Sequence, residues 1–169
     1  MAKPSLLVVD DEEIMREVIE TLLEEEGFQV ICASTGEEGL EKFRQERPDL
    51  VLLDLMLPAM DGLAVLKEIF RVDSDTVVIM ISAFASIENA VDATKAGAFD
   101  FVTKPFKNEE LLLVVKNGLN KRTLEVENRR LKKTLKERFT FKNIVGKSEP
   151  MRKVFDLMAQ VAPRRSTVL

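Results

Sequence analysis

The sequence predicts an open α/β fold: a parallel sheet of five strands with helices on both faces, followed by one long helix. Three observations predict it. Short apolar runs alternate with amphipathic stretches up to Pro105. Several of those runs carry no polar face, as strands covered on both sides by helices require. Acidic or hydroxyl residues follow directly on the runs, and sites in such sheets form beyond the carboxyl ends of the strands.

The elements follow in order. Leu6-Leu7-Val8-Val9 is the first strand and ends in Asp10. Ile14, Val18, Ile19, Leu22 and Leu23 recur at helical spacing, and Gly27 stops that helix. Phe28 to Cys32 is a second, shorter strand. Leu40 and Phe43 mark a helix that must end before Pro48. Val51-Leu52-Leu53 runs into Asp54, and Leu63, Leu66, Ile69 and Phe70 mark the next helix. Val77-Val78-Ile79-Met80-Ile81 ends in Ser82. Ile87, Ala90, Val91 and Thr94 mark a fourth helix, stopped at Gly97, and Phe99 to Val102 is the last strand before Lys104-Pro105. Successive strand–helix units of this kind give a parallel sheet with right-handed crossovers.

After Pro105 the pattern changes. Residues from about Glu109 to Arg138 form a long polar helical stretch, with Gly118 its one glycine. A heptad frame puts Val114, Lys121, Asn128 and Leu135 at one seam position, and Leu124 and Leu131 at the other. Asn128 at the seam would favour two strands. The same stretch reads equally as a solvated linker helix. In the tail, Gly146 and Pro150 interrupt the chain, Met151 to Val161 reads as helix and Ser166 to Leu169 as a strand. That tail is too short to bury a core of its own.

Composition narrows the function. The 169 residues are 46% hydrophobic and 32% charged, which fits a folded globular chain rather than a disordered one. A net charge of -4 argues against nucleic-acid binding, which needs a basic face. The absence of a membrane-length apolar run and of a leader pattern leads to the expectation of a cytoplasmic chain without membrane contact. Cys32 is the only cysteine, sits in an apolar run and reads as a small buried hydrophobe. With no histidine, the chain lacks the means for His-based zinc or triad chemistry and cannot carry its own phosphohistidine.

The strand ends carry the chemistry. Asp10, Asp11 and Asp54 should meet at one edge of the sheet with Ser82 and Lys104. Carboxylates so placed repel one another unless a cation sits among them, and magnesium suits an all-oxygen site of this kind. Asp54, at the end of the central strand, is the candidate nucleophile, since a carboxylate can form an aspartyl-phosphate. Lys104 would pair with phosphoryl oxygens as a point charge and Ser82 would donate to another. Asp11 and Asp61 also suit helix caps, the ordinary role of an acid after a strand.

Leu7-Val8-Val9-Asp10-Asp11-Glu12, Asp54-Leu55-Met56-Leu57-Pro58 with Met60-Asp61-Gly62, Ser82-Ala83 and Lys104-Pro105 together resemble the receiver domains of bacterial response regulators, over about residues 3 to 120. The resemblance implies a flavodoxin-like (CheY-like) sheet of strand order 2-1-3-4-5 with a C-terminal linker helix. It implies phosphorylation of Asp54 by a sensor histidine kinase, and Mg2+ held by Asp10, Asp11, Asp54 and the backbone carbonyl of Met56. Ser82 and Phe101 would be the switch residues, Lys104 the phosphate-contacting lysine, and Lys104-Pro105 a cis peptide.

Ile144-Val145-Gly146-Lys147-Ser148-Glu149-Pro150-Met151 and Val161-Ala162 through Leu169 resemble the start of the AAA+ domain of NtrC-type sigma-54-dependent activators. Gly146-Lys147-Ser148 is not a P-loop, because that motif needs glycine at position 141, which is Phe. The expected organisation is therefore a receiver over 1–120, a helical linker with a possible coiled coil over 121–139, and an AAA+ stub without Walker motifs over 140–169. Such a chain would be a phosphoacceptor switch rather than an enzyme. It would dimerise through the receiver face or the linker helix. It would act on sigma-54 RNA polymerase and DNA only through domains beyond it. Three other readings compete: a receiver that is never phosphorylated, an aspartate-nucleophile phosphohydrolase and a flavin module. The phosphohydrolase would need an acid where Met56 stands. The flavin module would need a phosphate loop where Asp10-Asp11-Glu12-Glu13 stands.

Overall fold

A computed structural model describes residues 3–83, 86–138, 153, 154 and 156. In chain order the elements are β1 (Ser5–Val9), α1 (Glu13–Glu25), β2 (Gln29–Ala33), α2 (Gly36–Glu46), β3 (Leu50–Asp54), α3 (Gly62–Val72), β4 (Val77–Ser82), α4 (Ile87–Lys95), β5 (Asp100–Thr103) and α5 (Asn108–Arg138). The strands form one parallel sheet, as the sequence pattern predicts, in the order β2-β1-β3-β4-β5 that the resemblance implies.

Alternation along the strands decides which core each residue joins. Leu6 and Val8 of β1, Leu50 and Leu52 of β3, and Ile79 and Ile81 of β4 face α1 and α5, where Ile19, Leu23, Leu111 and Val115 close the layer. Leu7, Val9, Val51, Leu53, Val78 and Met80 face the other way, onto Leu40, Phe43, Leu66, Ile69 and Ala93 of α2, α3 and α4. Every residue of β3 and β4 is buried, which is why those runs lack a polar face. Truncating one such side chain to alanine costs about 2–5 kcal/mol.

Helix ends follow local chemistry. α2 starts at Thr35, whose hydroxyl accepts the Glu38 amide at 3.2 Å, while the Glu38 carboxylate takes the Ser34 amide at 2.7 Å. The pair is a capping box displaced outward by one residue. α2 ends at Arg47, held at φ 49 because the following Pro48 bars the helical region. Asp61 caps α3 by accepting the Leu63 amide at 3.2 Å, and Ser86 caps α4 by accepting the Asn89 amide at 3.0 Å.

Four elements differ from the sequence reading. β2 and β5 each sit one residue later than the apolar runs suggest, because register with β1 and β4 rather than hydrophobicity sets their ends. α4 buries Ala93 while Val91 is 42% exposed, so the apolar spacing there does not mark a core face. In α5, Val114 packs against the core beneath α1 and α5, and the Lys121 ammonium lies 5.2 Å from the centre of the Phe99 ring. Those two heptad positions are therefore committed to the sheet.

The chain divides into two units, residues 1–126 and 127–169. Lys121 on Phe99 and Arg122, 3.5 Å from the Asp49 carboxylate, keep the helix on the first unit past residue 120. In the second unit the described residues are the last turns of α5, with Leu131 exposed, and residues 153, 154 and 156. The expected tail helix and strand, and the AAA+-like segments, lie outside the described residues apart from these three. Among the described residues no helix is long and apolar enough to cross a membrane.

Candidate phosphoacceptor site

The strand order runs outward to β2 on one side of β1 and to β3 on the other. Chain direction from the sheet therefore splits between β1 and β3, and the crevice beyond their carboxyl ends is where a ligand fits. Val9 pairs with Leu53, so the next residues, Asp10 and Asp54, leave the sheet side by side. Asp54 is the last residue of β3, and both carboxylates are buried, with Asp10 1% and Asp54 4% exposed.

One ammonium answers both. Lys104 Nζ donates to Asp54 Oδ2 at 2.5 Å and to Asp10 Oδ2 at 2.7 Å, and lies 3.5 Å from Glu12 Oε1. Lys104 reaches this position from the loop after β5, where its amide donates to the Ser82 carbonyl at 2.7 Å and its peptide with Pro105 is cis. The remaining carboxylate oxygens are fixed by the backbone. Asp10 Oδ1 accepts the Glu12 amide at 2.9 Å and Asp54 Oδ1 accepts the Met56 amide at 2.8 Å. Neither acid can turn away without losing a hydrogen bond.

Burial pushes the Asp10 carboxyl above the usual carboxylate range, with the Lys104 hydrogen bond pulling the other way. For Lys104, burial disfavours the charged form. The hydrogen bonds to Asp10 and Asp54 outweigh it and hold the ammonium above the usual lysine range. Lys104 is thus a fixed cation at any ordinary pH. At Cys32 burial raises the thiol to about 11, which makes it unreactive.

The loop after Asp54 is tightly closed. The Leu55 amide donates to Ile81 at 2.9 Å, and the Gly62 amide returns to the Leu55 carbonyl at 3.0 Å. Ser82, fully buried, ends β4 one residue beyond Ile81, the register partner of Asp54. Phe101 is half-buried on β5, beside Met80 in register, and packs against the α2–α3–α4 core. Asp11 is exposed on the loop, and the Met56 side chain is 57% exposed at the rim.

Asp10, Glu12 and Asp54 bring one carboxylate oxygen each within 4.8 Å of one another. Such a set, all hard oxygen donors and already drawing one cation, fits a divalent ion such as magnesium. Glu12 is the member that the sequence reading did not single out. Its signal was its place at the N-cap of α1, two residues beyond Asp10. Arg16 was missed too: its Nη1 donates to the Asp10 backbone carbonyl at 2.7 Å.

The pattern of the response regulator receiver domain matches residues 6–116. This chain belongs to the response regulator receiver family. The chain is 36% identical to the regulatory protein AtoC of Escherichia coli K12 over 164 residues, 97% of this chain and 36% of AtoC. It is 40% identical to the chemotaxis protein CheY of Bacillus subtilis over 116 residues, 68% of this chain and 97% of CheY. Among solved structures, NtrX of Brucella abortus superposes with a TM-score of 0.74 at 35% identity, covering 98% of this chain and 36% of NtrX. A CheY-like receiver of Methanospirillum hungatei does so at 0.71 and 33%, covering 73% and 99%. The chain spans 36% of the length of AtoC and 42% of the probable transcriptional regulator ycf27 of Guillardia theta. It is a two-component receiver similar to the regulatory protein AtoC and to NtrX. The family acts as a phosphoacceptor switch, works with histidine kinases and binds Mg2+ at an acidic pocket.

Proposed function

We propose that Asp54 is the phosphoacceptor, that Asp10, Asp11, Asp54 and the Met56 carbonyl hold Mg2+, and that Lys104, Ser82 and Phe101 convert the phosphoryl group into a change of shape. The observation that carries this reading is the pair of buried carboxylates, Asp10 and Asp54, sharing the Lys104 ammonium. Bound magnesium would neutralise the charge of the arriving phosphoryl group. An Asp54 carboxylate oxygen attacks the phosphorus of a phosphohistidine on a sensor kinase. The P–N bond breaks and its electron pair leaves with the imidazole. Lys104 then pairs with a phosphoryl oxygen, and the Ser82 hydroxyl donates to another.

Phosphorylation adds about -1.5 to -2 charge at this point. It draws Ser82 and Lys104 inward, and β5 and α4 with them. α4 is the element with least to lose: Ala93 is buried, while Val91 and Thr94 are exposed. Phe101 would follow by repacking. In this reading residues 1–120 are the receiver and 121–139 the linker. Residues 140–169 are the start of an AAA+ domain, through which a longer protein would act on sigma-54 RNA polymerase and DNA. Leu124 and Leu131 are both exposed, which supports a homodimer through the linker helix.

Incubation with magnesium and a small phosphodonor, followed by intact mass, tests the reading. A single phosphoryl adduct that needs magnesium and is lost in Asp54→Asn is expected. No adduct under conditions that label a control receiver would overturn it, leaving a receiver that signals without phosphorylation.

A further inference from the structure

Arg16 lies outside the set of residues that touch Asp54, yet it is tied to the acidic loop twice. Its Nη1 donates to the Asp10 backbone carbonyl at 2.7 Å. Its amide donates to the Glu12 carbonyl at 3.1 Å, the opening bond of α1. Between those points the Glu12 amide donates to Asp10 Oδ1 at 2.9 Å. The short segment from Asp10 to Glu12 is therefore closed at its side chain by Glu12 and at its carbonyl by Arg16. The other Asp10 oxygen, Oδ2, faces Lys104 at 2.7 Å.

The position of that carbonyl explains why a guanidinium is used. Asp10 is 1% exposed, and its amide, bonded to the Ala33 carbonyl at 3.1 Å, continues the β1–β2 ladder by one residue. The chain then turns into α1, so the Asp10 carbonyl leaves the ladder in a place that water does not reach. A buried carbonyl needs a donor. Arginine supplies one from a planar fork on a long stem, which holds direction better than a lysine ammonium does. The half-buried stem of Arg16 is further constrained by its place on α1.

We propose that Arg16 is a positioning residue for the phosphoacceptor site: by clamping the Asp10 peptide it sets the direction of the Asp10 carboxylate toward the cation that Asp10 and Asp54 share. The proposal rests on the reading of that pair as the magnesium site. Groups that hold a metal ligand from behind set affinity without touching the ion, and their loss typically costs about 10-fold or more. Arg16 donates to a backbone atom and leaves both carboxylate oxygens of Asp10 free for their own partners, so its effect falls on binding rather than on the transfer step.

Arg16→Met keeps the apolar stem and removes the donor, whereas Arg16→Lys keeps the charge and changes the geometry. Arg71→Met, which removes an exposed cation from α3, is the control. Magnesium affinity is read by calorimetry, adduct formation by intact mass at saturating magnesium, and folding by urea titration in chelator. For Arg16→Met the expected result is a magnesium Kd weakened by about 10-fold, with the adduct rate at saturating magnesium within about 2-fold of wild type. Arg16→Lys should fall between the two, and Arg71→Met should bind as wild type does. Unchanged affinity in Arg16→Met overturns the proposal. So does full affinity in Arg16→Lys, which would make the charge alone sufficient. A Met variant whose unfolding midpoint collapses together with its affinity would assign Arg16 to the fold. Wild-type protein that binds no magnesium would instead remove the site reading itself, and the clamp with it.

Discussion

Gly62 begins α3 directly beneath the loop that follows Asp54, and its lack of a side chain is a steric requirement of that loop. A Cβ there would press on the Asp54 carbonyl oxygen and lie 2.8 Å from Leu55 Cα and 2.9 Å from the Leu55 carbonyl oxygen. All three are backbone atoms, held by the Leu55–Ile81 and Gly62–Leu55 hydrogen bonds. Ordinary contact begins at 3.4 Å, so the strand end or the helix start must retreat. Gly118 makes the useful contrast. Its Cβ would meet Leu50 Cδ1 at 2.8 Å and Val77 Cγ1 at 2.9 Å, distances as short but to side-chain methyl groups rather than to backbone. Overpacking a core costs about 1–3 kcal/mol, at the upper end or beyond where no rotamer change relieves it. Replacing glycine by alanine inside a helix returns about 1 kcal/mol, a gain open to Gly118 in mid-helix but mostly closed to Gly62 in the first turn. Gly62→Ala should therefore lose about 2–4 kcal/mol in urea unfolding, and Gly118→Ala about 0–2 kcal/mol. Because the displaced atoms are those of Asp54 and Leu55, Gly62→Ala should also slow adduct formation under folding conditions, while Gly118→Ala should not. Equal losses in the two variants, or a Gly62→Ala protein of wild-type stability and rate, would refute the reasoning.

Other consequences follow from the buried charges. Lys104→Met leaves two buried carboxylates without their cation and should cost about 3–5 kcal/mol in chelator; magnesium at 100 times its Kd should restore about 2.7 kcal/mol, and urea titrations with and without the ion would show it. The Asp10 carboxyl has its folded pKa above the unfolded value near 3.8, so the folded state binds the extra proton and this residue's contribution falls as pH rises from about 4. Asp10→Asn should accordingly gain stability relative to wild type as pH rises above about 4, and a gap that narrows as pH rises would count against the burial argument. Glu38 behaves oppositely: its hydrogen bonds from Lys42 and Ser34 lower its pKa from 4.5 to about 2, so its contribution is whole above pH 4.5 and is lost as pH falls toward 2. The cost of Glu38→Gln should shrink over that interval in acid titrations followed by circular dichroism.

Much of this was legible in the order of residues. The short apolar runs that became β1, β3 and β4, each bounded by an acidic or hydroxyl residue and separated by helical stretches, read as strands covered on both faces. The placement of Asp10, Asp54 and Ser82 at their ends then puts all three at one edge, whatever the details of packing. Less legible were the ends of β2 and β5. These strands lie at the sheet's edges, where one neighbour rather than two sets the limits. The apolar spacing of α4 was likewise a poor guide, because spacing says which residues share a face but not whether anything covers it. Val91 shares that spacing and stays exposed.

The sequence by itself determined the fold class and put the candidate nucleophile and its acidic neighbours at strand ends, because apolar runs and residue type are local properties of the chain. Tertiary structure alone decided the partners. Lys104 meets Asp10 across 94 positions and Asp54 across 50, a convergence that depends on β1 lying between β2 and β3 and β4 lying between β3 and β5. Glu12 rather than Asp11 joins the close group of carboxylates, although both residues are exposed, because the turn from β1 into α1 decides which side chain lies over the pair. Arg16 reaches a backbone carbonyl, and a backbone atom has no letter in the sequence. The physical reason is the same in each case: hydrogen bonds and ion pairs are short-range and directional, so they are settled only when the sheet has brought distant segments within about 3 Å of one another.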